Sequence, residues 1–218
     1  MSELDSTTEL AKLIKTEMAK AGLQPDEYPV TEFAAYLELL MQWNKAYNLT
    51  AIRDQKKMIT HHILDSLSAL PYLNGNRCLD VGTGAGLPGL ILALTAPEKQ
   101  WVLLDSNHKK VRFVNQVIME LNIQNIETVN LRVEEYNTDN LFSTVITRAF
   151  GRLRKFYQLS RHLLAPNGKL LAMKGTELSE ELEELDLSTV KTQVHILPEH
   201  GNTGQRSLVE MNALPPVG

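Results

Sequence analysis

The first seventy residues carry apolar side chains at helical spacing. Three runs with positions three or four residues apart predict three amphipathic helices: Leu10, Leu13, Ile14 and Met18; Phe33, Leu37, Leu40 and Met41; and Ile59, Ile63 and Leu67. Ser6 and Glu9 have capping-box spacing, Thr31 can cap the second helix, and the third helix begins near Gln55. Residues 1–72 are therefore predicted to form a helical extension packed on the rest of the chain.

From residue 77 onward, short apolar runs alternate with amphipathic segments, which is the pattern of βα units around a parallel sheet. Strands are expected at 77–81, 101–105, 126–130, 143–147 and 168–173. Two further segments, 190–197 and 206–212, are too close for a crossover helix and are expected to be antiparallel. This combination is typical of class I S-adenosylmethionine-dependent methyltransferases. Residues 73–218 are predicted to form such a Rossmann-like α/β core, with a seven-stranded sheet, as a single structural unit.

The overall composition excludes several classes of protein. The only cysteine, Cys78, rules out an internal disulfide and a cysteine-cluster metal site. The net charge of −4 argues against a protein that coats nucleic acid by bulk charge, so contacts with RNA would need a local basic patch. The acidic N-terminus and the lack of a long apolar run predict a cytoplasmic protein.

A glycine-rich turn follows the first predicted strand, and its spacing fits two cofactors. Residues 84–89 satisfy the G-x-G-x-x-G pattern of dinucleotide-binding proteins, with Asp105 placed to accept from a ribose. The same turn has Asp80 and Gly82 ahead of it, as in the first motif of S-adenosylmethionine methyltransferases. A carboxylate suits a ligand with an ammonium and a sulfonium better than it suits a pyrophosphate. Asp80 and the antiparallel end of the sheet therefore favour S-adenosylmethionine over NAD.

Ligands of open α/β sheets bind beyond the carboxyl ends of the strands, and this rule selects candidate site residues. Asp105 ends the second strand and can accept two ribose hydroxyls. Val133 and Glu134 follow the third strand, where an adenine could be held. Basic residues are expected at the same rim and predict a polyanionic partner such as RNA: His108, Lys109, Lys110, Arg112, Arg132, Arg148, Lys174 and Arg206.

The segment after the fourth strand limits the kinds of methyl transfer that the chain could catalyse. Enzymes that methylate exocyclic amines commonly have an Asn/Asp-Pro-Pro-Tyr element there, whereas this chain has residues 147–150, Thr-Arg-Ala-Phe. Methylation of a pyrimidine carbon requires a cysteine nucleophile, but Cys78 precedes the glycine turn. A ring nitrogen such as guanine N7 has a lone pair and no proton to remove, so positioning can suffice. Arg148 could then donate to the base or hold a phosphate.

Several segments are similar to the family of bacterial ribosomal RNA small subunit methyltransferase G, also called glucose-inhibited division protein B. They are residues 43–50, 62–66, 79–89, 104–106, 110–113, 132–135, 147–150 and 174–175. The first two lie outside the generic methyltransferase fold, so they point to this family rather than to the superfamily. The resemblance spans nearly the whole chain.

The resemblance implies a monomeric enzyme that methylates N7 of guanine 527, in the 530 loop of 16S rRNA, within the 30S subunit or its precursor. S-adenosylmethionine would be the methyl donor, and no metal is expected. The expected donor contacts are Gly82, Gly84, Leu87, Asp105, Val133, Glu134 and Arg148. The implied catalytic residues are Arg148 and Lys174. The implied RNA contacts are Lys109, Lys110, Arg132 and Arg206.

Two groups in the helical extension have alternative roles. His61, His62 and Asp65 could bind a metal, but helix packing and hydrogen bonds to the core are favoured. Trp43 and Tyr47 could stack on a base, but packing between helices is favoured. For the whole chain, the alternatives are an NAD-dependent oxidoreductase and a non-catalytic RNA-binding or ribosome-assembly module.

Overall fold

Seven strands form one sheet in the order β3-β2-β1-β4-β5-β7-β6 in the computed structural model, which describes residues 3–175, 178–201 and 204–213. The strands are β1 Arg77–Val81, β2 Gln100–Leu104, β3 Ile126–Val129, β4 Phe142–Arg148, β5 Leu164–Lys174, β6 Val190–Leu197 and β7 Arg206–Ala213. The first five pair in parallel, whereas β7 runs antiparallel to both β5 and β6. The predicted class I arrangement is therefore confirmed.

Eight α-helical segments surround or precede this sheet in the described part of the chain. They are α1 Glu3–Lys20, α2 Val30–Tyr47, α3 Gln55–Met58, α4 Asp65–Leu67, α5 Gly89–Thr95, α6 His108–Glu120, α7 Leu153–Ser160 and α8 Ser179–Glu183. A π-helical segment, Ile59–Leu64, joins α3 to α4. The third predicted helix starts where expected, but it contains a wider turn of the kind often found at functional sites. Within the described residues, no helix has the length and apolar character needed to cross a bilayer.

The predicted caps of the first two helices are wrong. Ser6 lies inside α1, which already begins at Glu3. Thr31 lies inside α2, because Pro29 occupies the cap position and its carbonyl accepts from the N–H of Phe33 at 3.0 Å. Proline has a fixed φ close to the helical value, so it can start a helix without a side-chain cap.

The helical extension shares its hydrophobic core with the sheet. Tyr36 and Leu40 of α2 are fully buried in the same cluster as Trp101 and Phe113. The Tyr36 hydroxyl donates to the Ala85 carbonyl at 2.9 Å, which ties α2 to the glycine turn. A division of the chain at residue 72 thus separates two kinds of secondary structure that pack around a common core.

Trp43 belongs to the contact between helices, whereas Tyr47 is exposed at the end of α2 and contacts Trp43 of the same helix. The rings of these two residues lie 5.3 Å apart between centroids, and Trp43 also lies 5.7 Å from the ring of Phe113 on α6. Arg112 sits over the Trp43 ring at 5.9 Å. The predicted interhelical packing of Trp43 is confirmed by these contacts.

Candidate active site

The glycine turn lies at the carboxyl end of β1 and has a backbone that only glycine adopts easily. Gly82, Gly84 and Gly86 have φ angles of +71°, +61° and +88°. A methyl group added at Gly84 would meet nothing closer than the Gly82 carbonyl at 3.9 Å and the Lys110 Nζ at 4.0 Å. The backbone surface at Gly84 is therefore open to the approach of a ligand.

The N–H groups of this turn already have acceptors within the protein. Gly82 and Thr83 donate to the Leu104 carbonyl, Gly84 to Asp105 Oδ2, Gly86 and Leu87 to the Thr83 carbonyl, and Gly89 to Asp80 Oδ2. A pyrophosphate would require these N–H groups as donors. Because two of them are occupied by carboxylates, the turn favours a neutral or cationic ligand over a dinucleotide.

Asp80 lies behind the turn and is fully buried. Its Oδ2 accepts from Thr83 Oγ1 at 2.7 Å and from the Gly89 N–H at 2.8 Å, whereas Oδ1 has no partner among the described residues. Burial raises the pKa of Asp80 to about 6, although both hydrogen bonds act in the opposite direction. The sequence predicts that Asp80 faces the ligand. Because its side chain is fully buried and bonds to Thr83 and Gly89, it instead holds the turn against the start of α5.

A cleft at the ends of β1, β2 and β3 brings together five of the predicted site residues. This strand-end cleft encloses about 520 Å³ of empty space, counted out to its open mouth. Its lining includes the predicted residues Gly82, Asp105, Arg132, Val133 and Glu134. A partly apolar wall with a few convergent polar groups is typical of small-ligand sites.

Six residues that line the strand-end cleft are absent from those selected by sequence: Leu104, Ser106, Leu131, Phe150, Lys155 and Leu159. Phe150 and Lys155 line it from the segment that follows β4. The ring of Phe150 lies 3.4 Å from the position of a methyl group added at Gly82. Phe150 stands where exocyclic-amine methyltransferases have their aromatic residue, and that position is the signal by which sequence could have found it.

Asp105 forms the floor of the strand-end cleft and organises two elements. Its Oδ2 accepts from the Gly84 N–H at 2.9 Å, and its Oδ1 accepts from the Asn107 N–H at 2.8 Å. Lys110 Nζ lies 3.7 Å from Oδ2. Each carboxylate oxygen retains a second lone pair, so Asp105 can still accept hydrogen bonds from a ligand. Asn107, which accepts from the Lys109 N–H, caps α6.

A second cavity lies between the helical extension and the ends of β4 and β7. We call it the Asp65 cavity; it encloses about 560 Å³ out to its mouth, and its lining includes Ile52, His61, His62, Asp65, Arg148 and Arg206. Asp65 Oδ1 accepts from Arg206 Nε at 2.8 Å, while Oδ2 accepts from Arg206 Nη2 at 3.1 Å and from Arg148 Nη1 at 3.2 Å. Arg148 Nη1 also donates to the His61 carbonyl at 2.7 Å. The expected hydrogen bonding between this helical segment and the core is confirmed.

The turn after β4 separates the two cavities. Arg148 lines the Asp65 cavity, whereas Phe150 lines the strand-end cleft. Ala149 between them has a φ of +62°, a left-handed conformation that costs a residue with a Cβ roughly 1–2 kcal/mol. This strained turn directs the side chains on either side of Ala149, those of Arg148 and Phe150, into different cavities. Backbone strain of this kind is common in active sites.

Lys174 and Leu87 lie outside both cavities. Lys174 Nζ donates to Glu181 Oε2 at 2.7 Å and to the Gly151 carbonyl. Glu181 also accepts from the Leu153 N–H at 2.8 Å, so this ion pair holds the start of α7. Leu87 is 4% exposed and packs in the main core. A ligand contact at Leu87 would therefore involve its backbone.

The two histidines of the π-helical segment differ in their environment. His62 is buried, and its Nε2 lies 3.0 Å from Thr50 Oγ1, whereas His61 Nδ1 lies 3.0 Å from the Lys57 carbonyl. Burial lowers the pKa of His62 to about 4, and the nearby Arg148 guanidinium acts in the same direction. His62 is neutral at neutral pH. Within the described ranges, no group of three or more His, Cys, Asp or Glu side chains could hold a metal ion.

Acid should remove the stability that depends on a neutral His62. The pKa of His62 is about 6.5 in the unfolded chain and about 4 in the folded protein. The contribution of neutral His62 to stability is therefore complete above about pH 6.5 and is lost as the pH falls toward about 4. Asp80 has the opposite effect on stability, because its pKa is raised in the folded protein and its protonation at lower pH favours the folded state. We expect the stability of the wild type relative to His62→Gln to fall by about 2 kcal/mol between about pH 7 and about pH 4.5. Urea unfolding at both pH values measures this difference, and a constant difference would contradict the assignment.

The comparisons with known proteins identify the family. The family model described as rRNA small subunit methyltransferase G matches residues 30–209. A protein of that name from Nitrosococcus oceani is 48% identical over 190 residues, covering 87% of this chain and 89% of its own. One from Chromobacterium violaceum is 42% identical, covering 91% and 95% of the two chains.

A solved structure agrees with this result at the level of the fold. A SAM-dependent methyltransferase from Aquifex aeolicus superposes with a TM-score of 0.57 at 16% identity, covering 75% of this chain and 96% of its own. At that identity the likeness concerns the fold alone. The family model and the relatives that cover most of the chain show the family. The chain belongs to the rRNA small subunit methyltransferase G family.

Proposed function

We propose that the protein transfers the methyl group of S-adenosylmethionine to guanine N7 in small-subunit ribosomal RNA, at position 527 of 16S rRNA. The observation that carries this proposal is the glycine turn, whose backbone is open to a ligand while its N–H groups are held by Asp80 and Asp105. Such a turn fits a donor without phosphate groups. Membership of the family supports the same donor and the same class of substrate.

The strand-end cleft would hold the donor. Asp105 would accept from the ribose hydroxyls with its free lone pairs, while Val133 and Glu134 would border the adenine. Gly82 and Gly84 would let the donor approach the backbone, and Leu87 would contribute backbone atoms only. When bound, S-adenosylmethionine supplies an electrophilic methyl group on a sulfonium.

The Asp65 cavity would hold the target base, on the other side of the turn after β4. Guanine N7 needs no general base, because it carries no proton before the transfer. The protein's task is then to orient the base and to stabilise the positive charge that the purine gains. Arg148 would orient the target directly. Lys174, which is paired with Glu181, would act by positioning the turn after β4 through Gly151.

The RNA would approach across the basic mouth of the strand-end cleft. Arg132 and Lys155 line the cleft and are exposed. Lys109 is exposed in the first turn of α6, next to the half-buried Lys110, whose Nζ lies 3.7 Å from Asp105 Oδ2. Side chains of this type contact phosphates without reading sequence, so they would position the rRNA rather than select the base. We propose a monomer that acts in the cytoplasm on the 30S subunit or its precursor.

Mapping the modified nucleotide tests this proposal. We expect labelled S-adenosylmethionine and unmodified 30S particles to give one methyl group at N7 of the target guanine. S-adenosylhomocysteine should raise the melting temperature of the protein, whereas NADH should not. Binding to the particles without incorporation would favour the ribosome-assembly alternative, and stabilisation by NADH alone would favour the oxidoreductase.

A further inference from the structure

The ion pair between Asp65 and Arg206 has the geometry of base recognition. Arg206 donates through Nε and Nη2 to the two oxygens of Asp65, at 2.8 and 3.1 Å, so one planar group fills both acceptors. Among the four RNA bases, guanine alone presents two adjacent donors, N1–H and N2–H, on its Watson–Crick edge. Proteins commonly read unstacked bases by this edge. Arg206 thus occupies Asp65 in the manner in which a guanine would.

Arg148 adds a hydrogen-bonding group next to the two oxygens of Asp65. Its Nη1 lies 3.2 Å from Asp65 Oδ2 and is held in place by the His61 carbonyl at 2.7 Å. These two bonds use both N–H groups of Nη1, so the donor that Arg148 can offer beside the two Asp65 acceptors is Nη2. The Watson–Crick edge of guanine presents the complementary order, namely the acceptor O6 followed by the donors N1–H and N2–H.

The Asp65 cavity has a charged lining and lies next to the strand-end cleft. Its lining includes the side chains of Asp65, Arg148 and Arg206. The turn after β4 separates the two cavities, because Arg148 lines one and Phe150 lines the other. A base held in the Asp65 cavity would therefore lie next to the proposed donor site.

We infer that Arg148 and Asp65 together read the Watson–Crick edge of the target guanine, and that Arg206 holds the place of that edge until RNA binds. This inference rests on the proposed function and names the residues that select guanine within it. N7 lies on the Hoogsteen edge, on the other side of O6 from N1–H, so a base held in this way leaves N7 free of Asp65. Once displaced, the Arg206 guanidinium is free to pair with an RNA phosphate.

The contact of Asp65 with N1–H of the target guanine would also accelerate methyl transfer. Methylation at N7 leaves the purine with a positive charge, and that charge makes N1–H a stronger donor. A carboxylate already placed on N1–H therefore gains more in the transition state than in the ground state, which is the condition for catalysis. Asp65 would thus both select the base and accelerate methyl transfer to it.

Replacing the target guanine by inosine tests this inference, because inosine lacks only the N2 amino group and keeps N7. Loss of one hydrogen bond to a carboxylate should reduce kcat/KM of the wild-type enzyme by about 10- to 100-fold on reconstituted particles. In Asp65→Asn, which has lower activity on both substrates, guanine and inosine should differ by less than about 3-fold. Glu210→Gln is the matched control, since it loses a half-buried ion pair with Lys169 on β5 and should keep the full discrimination.

The outcomes separate this inference from the proposed function. Equal rates on guanine and inosine for the wild type would overturn the inference, whether or not Asp65→Asn folds. Discrimination that persists in Asp65→Asn would do the same. Arg206→Gln should retain the discrimination, and its loss there would show that Arg206 itself reads the base. No incorporation by the wild type on any particle would instead overturn the proposed function.

Discussion

Arg148→Ala should reduce kcat/KM for rRNA methylation by about 100-fold, the size of loss that a small misplacement of the reacting groups can cause. The alanine variant loses the guanidinium that borders the Asp65 cavity and the hydrogen bond that fixes it to the His61 carbonyl. The fold should persist, because Asp65 keeps both bonds to Arg206. We expect a loss in unfolding free energy of about 2 kcal/mol for the missing charged hydrogen bonds.

Steady-state methylation, binding of S-adenosylhomocysteine and thermal unfolding should be measured on the same preparation of Arg148→Ala. Arg161→Ala is the matched control, because Arg161 packs over the Tyr157 ring at 6.0 Å and does not line either cavity. The control should keep near-normal turnover. Normal turnover in Arg148→Ala would remove Arg148 from the active site, and loss of donor binding alone would place it on the donor.

Gly89→Ala should destabilise the protein by about 3 kcal/mol, although alanine normally favours a helix over glycine. A methyl group at this first position of α5 would collide with the Leu103 side chain and would lie 2.8 Å from Asp80 Cβ and Oδ2. These neighbours are fully buried, so they have little room to move. The collision would also disturb the carboxylate that holds the Gly89 and Thr83 hydrogen bonds.

For a chain of this length, the loss corresponds to a decrease in melting temperature of about 6 to 12 °C, which calorimetry measures directly. Gly175→Ala is the control, because no atom lies within 4 Å of its added methyl group and its φ is not left-handed. It should change the unfolding free energy by less than about 0.5 kcal/mol. Equal melting temperatures for the two variants would mean that α5 can move away from β1 and β2.

The strand-end cleft could be predicted from the sequence because its residues are fixed locally. Apolar runs set the strands, and parallel strands place their carboxyl ends along one edge of the sheet. Asp105 follows β2 directly, and Val133 and Glu134 lie in the loop after β3, so their convergence needs no information about distant contacts. The glycine turn is also local, since positive φ angles require glycine at Gly82, Gly84 and Gly86.

The Asp65 cavity could not be predicted in this way. Asp65 and Arg206 are 141 positions apart in the chain, and no local pattern indicates that a carboxylate of the helical extension meets an arginine of the last strand. The sequence does not reveal the partner of Lys174 either, because Glu181 belongs to an acidic helix whose other carboxylates, Glu180 and Glu183, are exposed. Sequence places both basic residues at the rim, but only the structure shows that each already has a carboxylate partner.

The position of β7 in the sheet has a consequence for biosynthesis. β7 is synthesised after β5 and β6, yet it lies between them and begins at Arg206. While the chain is still emerging from a ribosome, β6 has no neighbour and Asp65 has only one of its two arginines. Domains fold as their segments emerge, from the N-terminal side onward. The site that we assign to ribosomal RNA is thus completed only after β7 has emerged and inserted between β5 and β6.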